Sequence, residues 1–511
     1  MSDQHFAAPG RKGFVTVYMV FTMLTLIPMA GLAIDCTVLY NVKARLQAAV
    51  DAAALGAGAM LQSSTDLSNS TQVANIQDAA QRFFNANYPS GYWGTTQAYY
   101  SATPSQDPNT QVRTIYVHAE EYVPMLFLRV LRINSSTVAA QATSSVRFVS
   151  AMIVVDRSGS VVRGGNNVTI QNALNSFVVN TPSSTPAGQS LFVDGRDVIG
   201  MVSFGGTTGG IANNAIDYPP VSNFRSGASK ISTTITNIPF GNNGTNTAEG
   251  LYQAYQQLLT LNNTGALNVI ILLTDGRPSA FTVTMTPTGS STCTNKTAKT
   301  GFITANVAYT WPPPPPTTQG GQQGVDGSGN PVYVYTFGLY NQLFTGMYGS
   351  PCPSSCSDMA FVANSGGCYY NSTNTNAYKD FPTFPATDVH GYSTTGPYYP
   401  GNNGNGQSLS DPAAVRYASF NVADNVATAI RQDTTIRPVM FVIGLNEPPA
   451  GGEPLDADWL ARVANDPNYI NSSGNPVYQS GQTAGLYYNV TGAGLAAAFQ
   501  DISAQILRLS Q

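Results

Sequence analysis

The spacing of apolar residues changes character several times along the chain. Residues 14–34 form a run of 21 without a charge. At about 20 residues per crossing, that is long enough to span the hydrocarbon core of a bilayer. Apolar positions then continue at helical spacing through Leu39, Val42, Leu46, Ala49, Val50, Ala53 and Leu55, and neither Pro nor Gly intervenes between Asp35 and Gly56. A helix continuous over 14–60 would be roughly 70 Å long at 1.5 Å per residue. Its small residues Ala48, Ala49, Ala52, Ala53, Ala54 and Ala57 either pack against the protein's own soluble part or admit a second helix at close range. A short helix is predicted over 76–88, carried by Ile76, Ala80, Phe83 and Phe84. Runs at 114–118, 122–128 and 136–143 are β-branched or alternating and predict strands.

From residue 149 onward the pattern becomes strand, helix, strand, in alternation. The predicted strands are 149–155, 197–204, 268–274, 437–445 and 485–490, and most are near-continuous apolar runs. Such runs suit a parallel sheet covered by helices on both faces, a doubly wound, Rossmann-like α/β fold. A polar stretch at 209–217, followed by Pro219-Pro220, predicts the sheet edge. Leu495, Phe499, Ile502, Ile506 and Leu509 mark a terminal amphipathic helix. Between 277 and 404 periodicity fades, and the segment reads as an insertion lobe.

Candidate chemistry sits at the strand ends. The run at 149–155 stops at Asp156-Arg-Ser158-Gly-Ser160. In open α/β sheets ligands bind beyond the carboxyl ends of the strands. One carboxylate with two hydroxyls is an oxygen-only donor set, which hard cations such as Mg²⁺, Mn²⁺ or Ca²⁺ prefer. A second apolar run ends in Thr-Asp275-Gly276, so Asp275 would share the same end of the sheet. Two carboxylates there are costly unless a cation or water separates them. Thr245 precedes a helix predicted over 248–259 and either caps it or offers its hydroxyl to a metal. The competing reading has Asp156 and the serines simply capping the helix that follows them.

Composition narrows the function. Only 10% of residues are charged and the net charge is −4. No basic excess suggests nucleic acid, and the neutral polar surface suits an envelope or secreted protein. The three histidines, His5, His118 and His390, lie far apart, so no local cluster supports catalysis and the chain is expected not to be an enzyme. Cys293, Cys352, Cys356 and Cys368 fall in the insertion. They read as two disulfides with three possible pairings, or alternatively as a four-cysteine zinc site. Arg11 and Lys12 place the N-terminus in the cytoplasm, against which Lys43 and Arg45 pull. Ala30-Gly-Leu-Ala33 offers a signal-peptide cleavage alternative, but the apolar core is longer than signal peptides use.

The segment Gly31-Leu-Ala-Ile-Asp35, Tyr40 and Arg45-Leu-Gln-Ala-Ala-Val-Asp-Ala-Ala-Ala-Leu-Gly56 resembles the N-terminal segment of TadG-like Tad/Flp pilus-assembly proteins, over roughly 11–60. Asp156-x-Ser158-x-Ser160, Thr245 and Asp275, in that order, resemble the metal-ion-dependent adhesion site of the von Willebrand factor A family. That resemblance implies direct cation binding by Ser158 and Ser160, partly water-mediated binding by Asp156 and Asp275, and entry of Thr245 on ligation. A protein partner's Glu or Asp would complete the site. The expected organisation is a cytoplasmic tail (1–13), a transmembrane helix (14–34), a stalk helix (35–61) and a small α+β region (62–148). The A domain (149–276 and 405–511) follows, split by the insertion (277–404). The implied protein is single-pass in the bacterial cytoplasmic membrane with its bulk outside, at the cell surface or on a pilus. The other expectation is a structural pilus or secretion component, assembled with other pilus proteins through its N-terminal helix, in which the metal only stabilises.

Overall fold

The structure, a computed structural model, describes residues 12–63, 67–108, 112–181, 190–206, 216–241, 244–286, 298–304, 324–325, 331–332, 339–341, 383–396, 412–447 and 455–510. The chain divides into two compact units, one running to residue 147 and the other from 148 to 510.

The first unit is built on one helix, α1 (Lys12–Ser63). Its side chains from Val15 to Ala30 are almost all exposed. Burial begins at Gly31 and recurs at Asp35, Val38, Val42, Leu46, Ala49, Val50, Ala53, Ala54, Ala57 and Leu61, a single face at three-to-four spacing. That face packs on α2 (Ser70–Asn87) and on an antiparallel sheet of β1 (Thr96–Gln106), β2 (Arg113–Pro124) and β3 (Ser135–Val146). The small residues Ala49, Ala53, Ala54 and Ala57 are therefore taken up by their own unit. Lys43 and Gln47 add donors to the carbonyls of Ala139 and Gln141.

Two expectations for this unit change. β1 was not visible in the sequence, because Thr96-Gln-Ala-Tyr-Tyr-Ser-Ala-Thr-Pro-Ser-Gln106 buries only Ala102. The run at 122–128 is not a strand throughout. β2 ends at Pro124, and the backbone N–H groups of Leu126, Phe127 and Leu128 donate to the carboxylate of Asp35 at 2.7–3.3 Å. That buried carboxylate opens a turn, Leu128–Leu131, before β3.

The second unit centres on a six-stranded sheet in the order β14-β13-β7-β4-β5-β6. Its strands are β4 (Val149–Asp156), β5 (Val198–Phe204), β6 (Tyr218–Val221), β7 (Leu267–Thr274), β13 (Val439–Leu445) and β14 (Leu486–Val490). All neighbours are parallel except the β5–β6 pair. On one face lie α6 (Thr247–Leu261), α7 (Pro412–Gln432) and α8 (Ala457–Ala464), closing over Met152, Val154, Ile270 and Leu272. On the other face α4 (Asn167–Leu174), α5 (Ile231–Thr236) and α9 (Leu495–Ser510) close over Ala151, Ile153, Val155 and Ile271. A single turn, α3 (Gly159–Arg163), follows β4.

The stretch expected as the edge, 209–217, lies largely outside the described residues; among those described, the edge strand is β6. It contains the two prolines, and only Tyr218 and Val221, flanking them, pair with β5. Pro lacks an N–H and is confined to such edges. Residues 207–215 lie outside the described residues. The segment read as an aperiodic insertion contributes to the core. β8 (Ala280–Met285) and β9 (Lys299–Thr304) pair antiparallel, and Phe281, Val283, Ile303 and Phe384 join the main cluster. Short strands β10 (Gly324–Val325), β11 (Pro331–Val332) and β12 (Leu339–Asn341) follow, with β12 on β9. The expected disulfides or zinc site at Cys293, Cys352, Cys356 and Cys368 lie outside the described residues. Cys36 is free and exposed.

Asp35→Ala leaves three backbone donors without their acceptor. Backbone donors left without an acceptor in this way destabilise the fold. Thermal unfolding of the detergent-solubilised chain is expected to show that loss, with Asp35→Asn losing less because its amide keeps one acceptor oxygen.

Candidate metal centre

The parallel pairing of β4 with β7 sets the geometry. Val155 stands opposite Leu273, so the next residues, Asp156 and Thr274, meet at the strand ends. Here the chain also changes direction across the sheet: β5 and β6 lie to one side of β4, and β7, β13 and β14 to the other. Crevices form at such topological switch points.

Asp156 is fully buried and held through both oxygens. Its Oδ1 accepts the Ser158 N–H at 2.8 Å and its Oδ2 accepts the Thr274 hydroxyl at 2.6 Å. The Ser158 and Ser160 hydroxyls lie 2.9 Å apart, and Ser160 Oγ donates to Asp275 Oδ1 at 2.8 Å. The other oxygen of Asp275 is buried and without a hydrogen-bond partner. Thr245 arrives from the other side. Asn246, behind it, donates its N–H to Gly205 O at 2.7 Å, and the Thr245 carbonyl accepts the N–H groups of Ser279 and Ala280. The Thr245 N–H donates to Ser279 Oγ at 2.9 Å.

The structure therefore brings all five sequence-derived residues, Asp156, Ser158, Ser160, Thr245 and Asp275, to one end of the sheet. Gly276 forms the wall between them. A Cβ there would stand 3.7 Å from both Ser160 Oγ and Thr245 Oγ1 and 3.9 Å from Asp156 Oδ2. The capping alternatives find less support. Ser158 precedes α3 but makes no side-chain capping bond, and α6 is capped by Asn246, which accepts the Glu249 N–H, rather than by Thr245. Thr274 and Ser279 were missed. Thr274 is adjacent to Asp275 and looked like the last strand residue; only the register shows that its hydroxyl reaches the neighbouring strand's carboxylate. The contact of His390 Nε2 with Glu249 Oε2, at 2.9 Å, was also invisible in the sequence.

Electrostatics make the pair unstable as bare anions. Burial raises the Asp156 carboxyl above its ordinary value despite its hydrogen bonds. Burial and then the Asp156 charge push Asp275 up to about 7. An all-oxygen donor set, an unpartnered carboxylate oxygen and a glycine-lined gap fit a small hard cation. Among the described residues no three His, Cys, Asp or Glu side chains gather as a metal group; the cluster holds two carboxylates, and hydroxyls make up the rest.

Comparisons with known proteins bear on both units. Residues 13–60 match the Flp pilus-assembly TadE/G-like family model. Residues 152–309 match the von Willebrand factor type A domain model, which extends into the segment read as an insertion. Similar solved structures include the vWF domain of the type V pili tip protein Mfa5 from Porphyromonas gingivalis, at 14% identity and TM-score 0.33, covering 72% of this chain and 98% of that one. The PilB minor pilin from Streptococcus sanguinis aligns at 14% identity and TM-score 0.31, covering 82% and 79%. No curated protein sequence matches the chain.

The pair's charge predicts a pH signature. The folded pKa of Asp275 lies above the unfolded value of 3.8, at about 7. Its contribution to stability is thus full below 3.8 and lost as pH rises through about 7. In EDTA, the melting temperature of wild type is expected to fall relative to Asp275→Asn as pH rises from about 4 to about 7, and to level off above that. Mg²⁺ is expected to restore wild type at the upper end only. Calorimetric melts of both proteins across that range check this.

Proposed function

We propose that this chain, which carries a Flp pilus-assembly TadE/G-like segment and a von Willebrand factor type A domain, binds a protein partner through a divalent cation in pilus assembly or adhesion. Asp156, Ser158, Ser160, Thr245 and Asp275 would hold the ion, Mg²⁺ ahead of Mn²⁺ or Ca²⁺. When bound, the ion supplies a Lewis-acidic position for a Glu or Asp carboxylate of the partner. The observation that carries this reading is the buried, unpartnered Asp275 oxygen beside a network of hydroxyls. The protein's own residues keep the donors in place: Thr274 and the Ser158 N–H fix Asp156, Ser160 fixes Asp275, and the Ser279 contacts fix Thr245.

Binding rather than catalysis is the reading we favour. Around the five residues, the hydrogen bonds of the described side chains involve carboxylates, hydroxyls and backbone groups, with no His, Lys or Cys placed to move a proton. α1 is long and apolar enough to cross a membrane, and Arg11 and Lys12 favour a cytoplasmic N-terminus. The bulk of the chain would then face outward, at the cell surface or on the pilus.

A structural reading has its own observation. Residues 15–30 of α1 meet almost no side chain of their own unit, so helix packing with other pilus components would involve that end. Filament counts and EDTA-sensitive attachment of the producing bacterium separate the two. With Asp156→Ala, filament number is expected to stay at the wild-type level while attachment falls to that of EDTA-treated wild type. Unchanged attachment in that variant, with filaments lost on deleting 14–60, would favour the structural role.

A further inference from the structure

Residues 125–134 join β2 to β3, and the turn is closed by the Met125 N–H donating to Asn134 O at 3.0 Å. The turn carries an apolar surface. Leu126 is 54% exposed, Phe127 43%, Val130 86%, Leu131 68% and Ile133 47%. Leu128 points back into the first unit's core. Five large apolar side chains in eight residues of a closed turn are not scattered surface residues; contiguous patches of this kind mark contact surfaces.

Position says what covers them. The Asp35 carboxylate holds the N–H groups of Leu126, Phe127 and Leu128. Phe127 then lies directly over Gly31, where a Cβ would come within 2.7 Å of the Phe127 Cβ and Cγ. Gly31 precedes Asp35 by four residues, about 6 Å along the helix axis. It belongs to the uncharged run 14–34. If that run sits in hydrocarbon, a side chain touching Gly31 cannot be at a different depth. Exposed Arg129 and Arg132 stand among the apolar residues, where long basic side chains can lay their stems along lipid and reach headgroup phosphates.

We propose that the 126–133 turn is a second membrane contact, inserted into the outer leaflet beside α1 and held at that depth by Asp35. It rests on the membrane-spanning reading of 14–34. The lipid would fix how the first unit stands on the membrane surface, since a single helix alone leaves rotation and tilt free.

Tryptophan depth measurement tests this on the full chain in vesicles of phosphatidylethanolamine and anionic phosphatidylglycerol. Val130→Trp and Leu24→Trp are each compared with the unmodified chain, whose three tryptophans supply the background. Both replaced side chains are exposed, so neither change disturbs the core. Brominated acyl chains are expected to quench the added emission of both variants, and several-fold more strongly than aqueous acrylamide does. Quenching of Leu24→Trp with Val130→Trp open to acrylamide would overturn the proposal and leave the span intact. Val130→Trp shielded from both quenchers would also overturn it, with a protein surface as the occupant. Failure of lipid quenching in Leu24→Trp itself would remove the span and the proposal together.

Discussion

The register between β4 and β7 is the constraint on which the candidate site depends. Pairing Val155 with Leu273 puts Asp156 beside Thr274 and delivers Asp275 one residue later. A slip of one residue would turn these side chains to the opposite face of the sheet. The register itself is fixed by the core, because both faces of these strands are buried in separate apolar clusters. Hydrophobic packing thereby forces two carboxylates together in a dry place where their charges oppose one another. A proton or, in the proposed function, a cation would relieve that opposition, and the hydroxyls of Ser158, Ser160 and Thr245 stand beside the pair.

A related device organises the first unit. Asp35 is buried where the largely exposed stretch of α1 gives way to the packed one, and it accepts three consecutive backbone donors from the turn after β2. In each unit a buried acid organises a loop, Asp35 from within α1 and Asp156 from the end of β4. Asp35 has all the donors it needs within the chain, whereas Asp275 retains an oxygen without one. The proposed cation site rests on that difference.

The sheet was legible because its strands are uninterrupted apolar runs ending in polar residues, and the five site residues were legible because each sits at such an end or at a helix start. β1 was not, since its alternation is weak and it buries one residue. The end of β2 was misplaced because Leu126, Phe127 and Leu128 look like strand; the acceptor that pulls their backbone away is more than ninety positions earlier in sequence. β8 and β9 were hidden by the low-periodicity sequence around them. Glu249 and His390 were likewise unreadable as a pair, being 141 residues apart.

The central claim is that Asp156, Asp275 and their hydroxyl neighbours form a cation site. Titrating Mg²⁺ and Mn²⁺ into the chelator-treated protein by calorimetry, with Asp156→Ala alongside, tests it most directly. Saturable binding is expected in wild type and is expected to disappear in the variant. Equal binding in both proteins, or none in either, would contradict it.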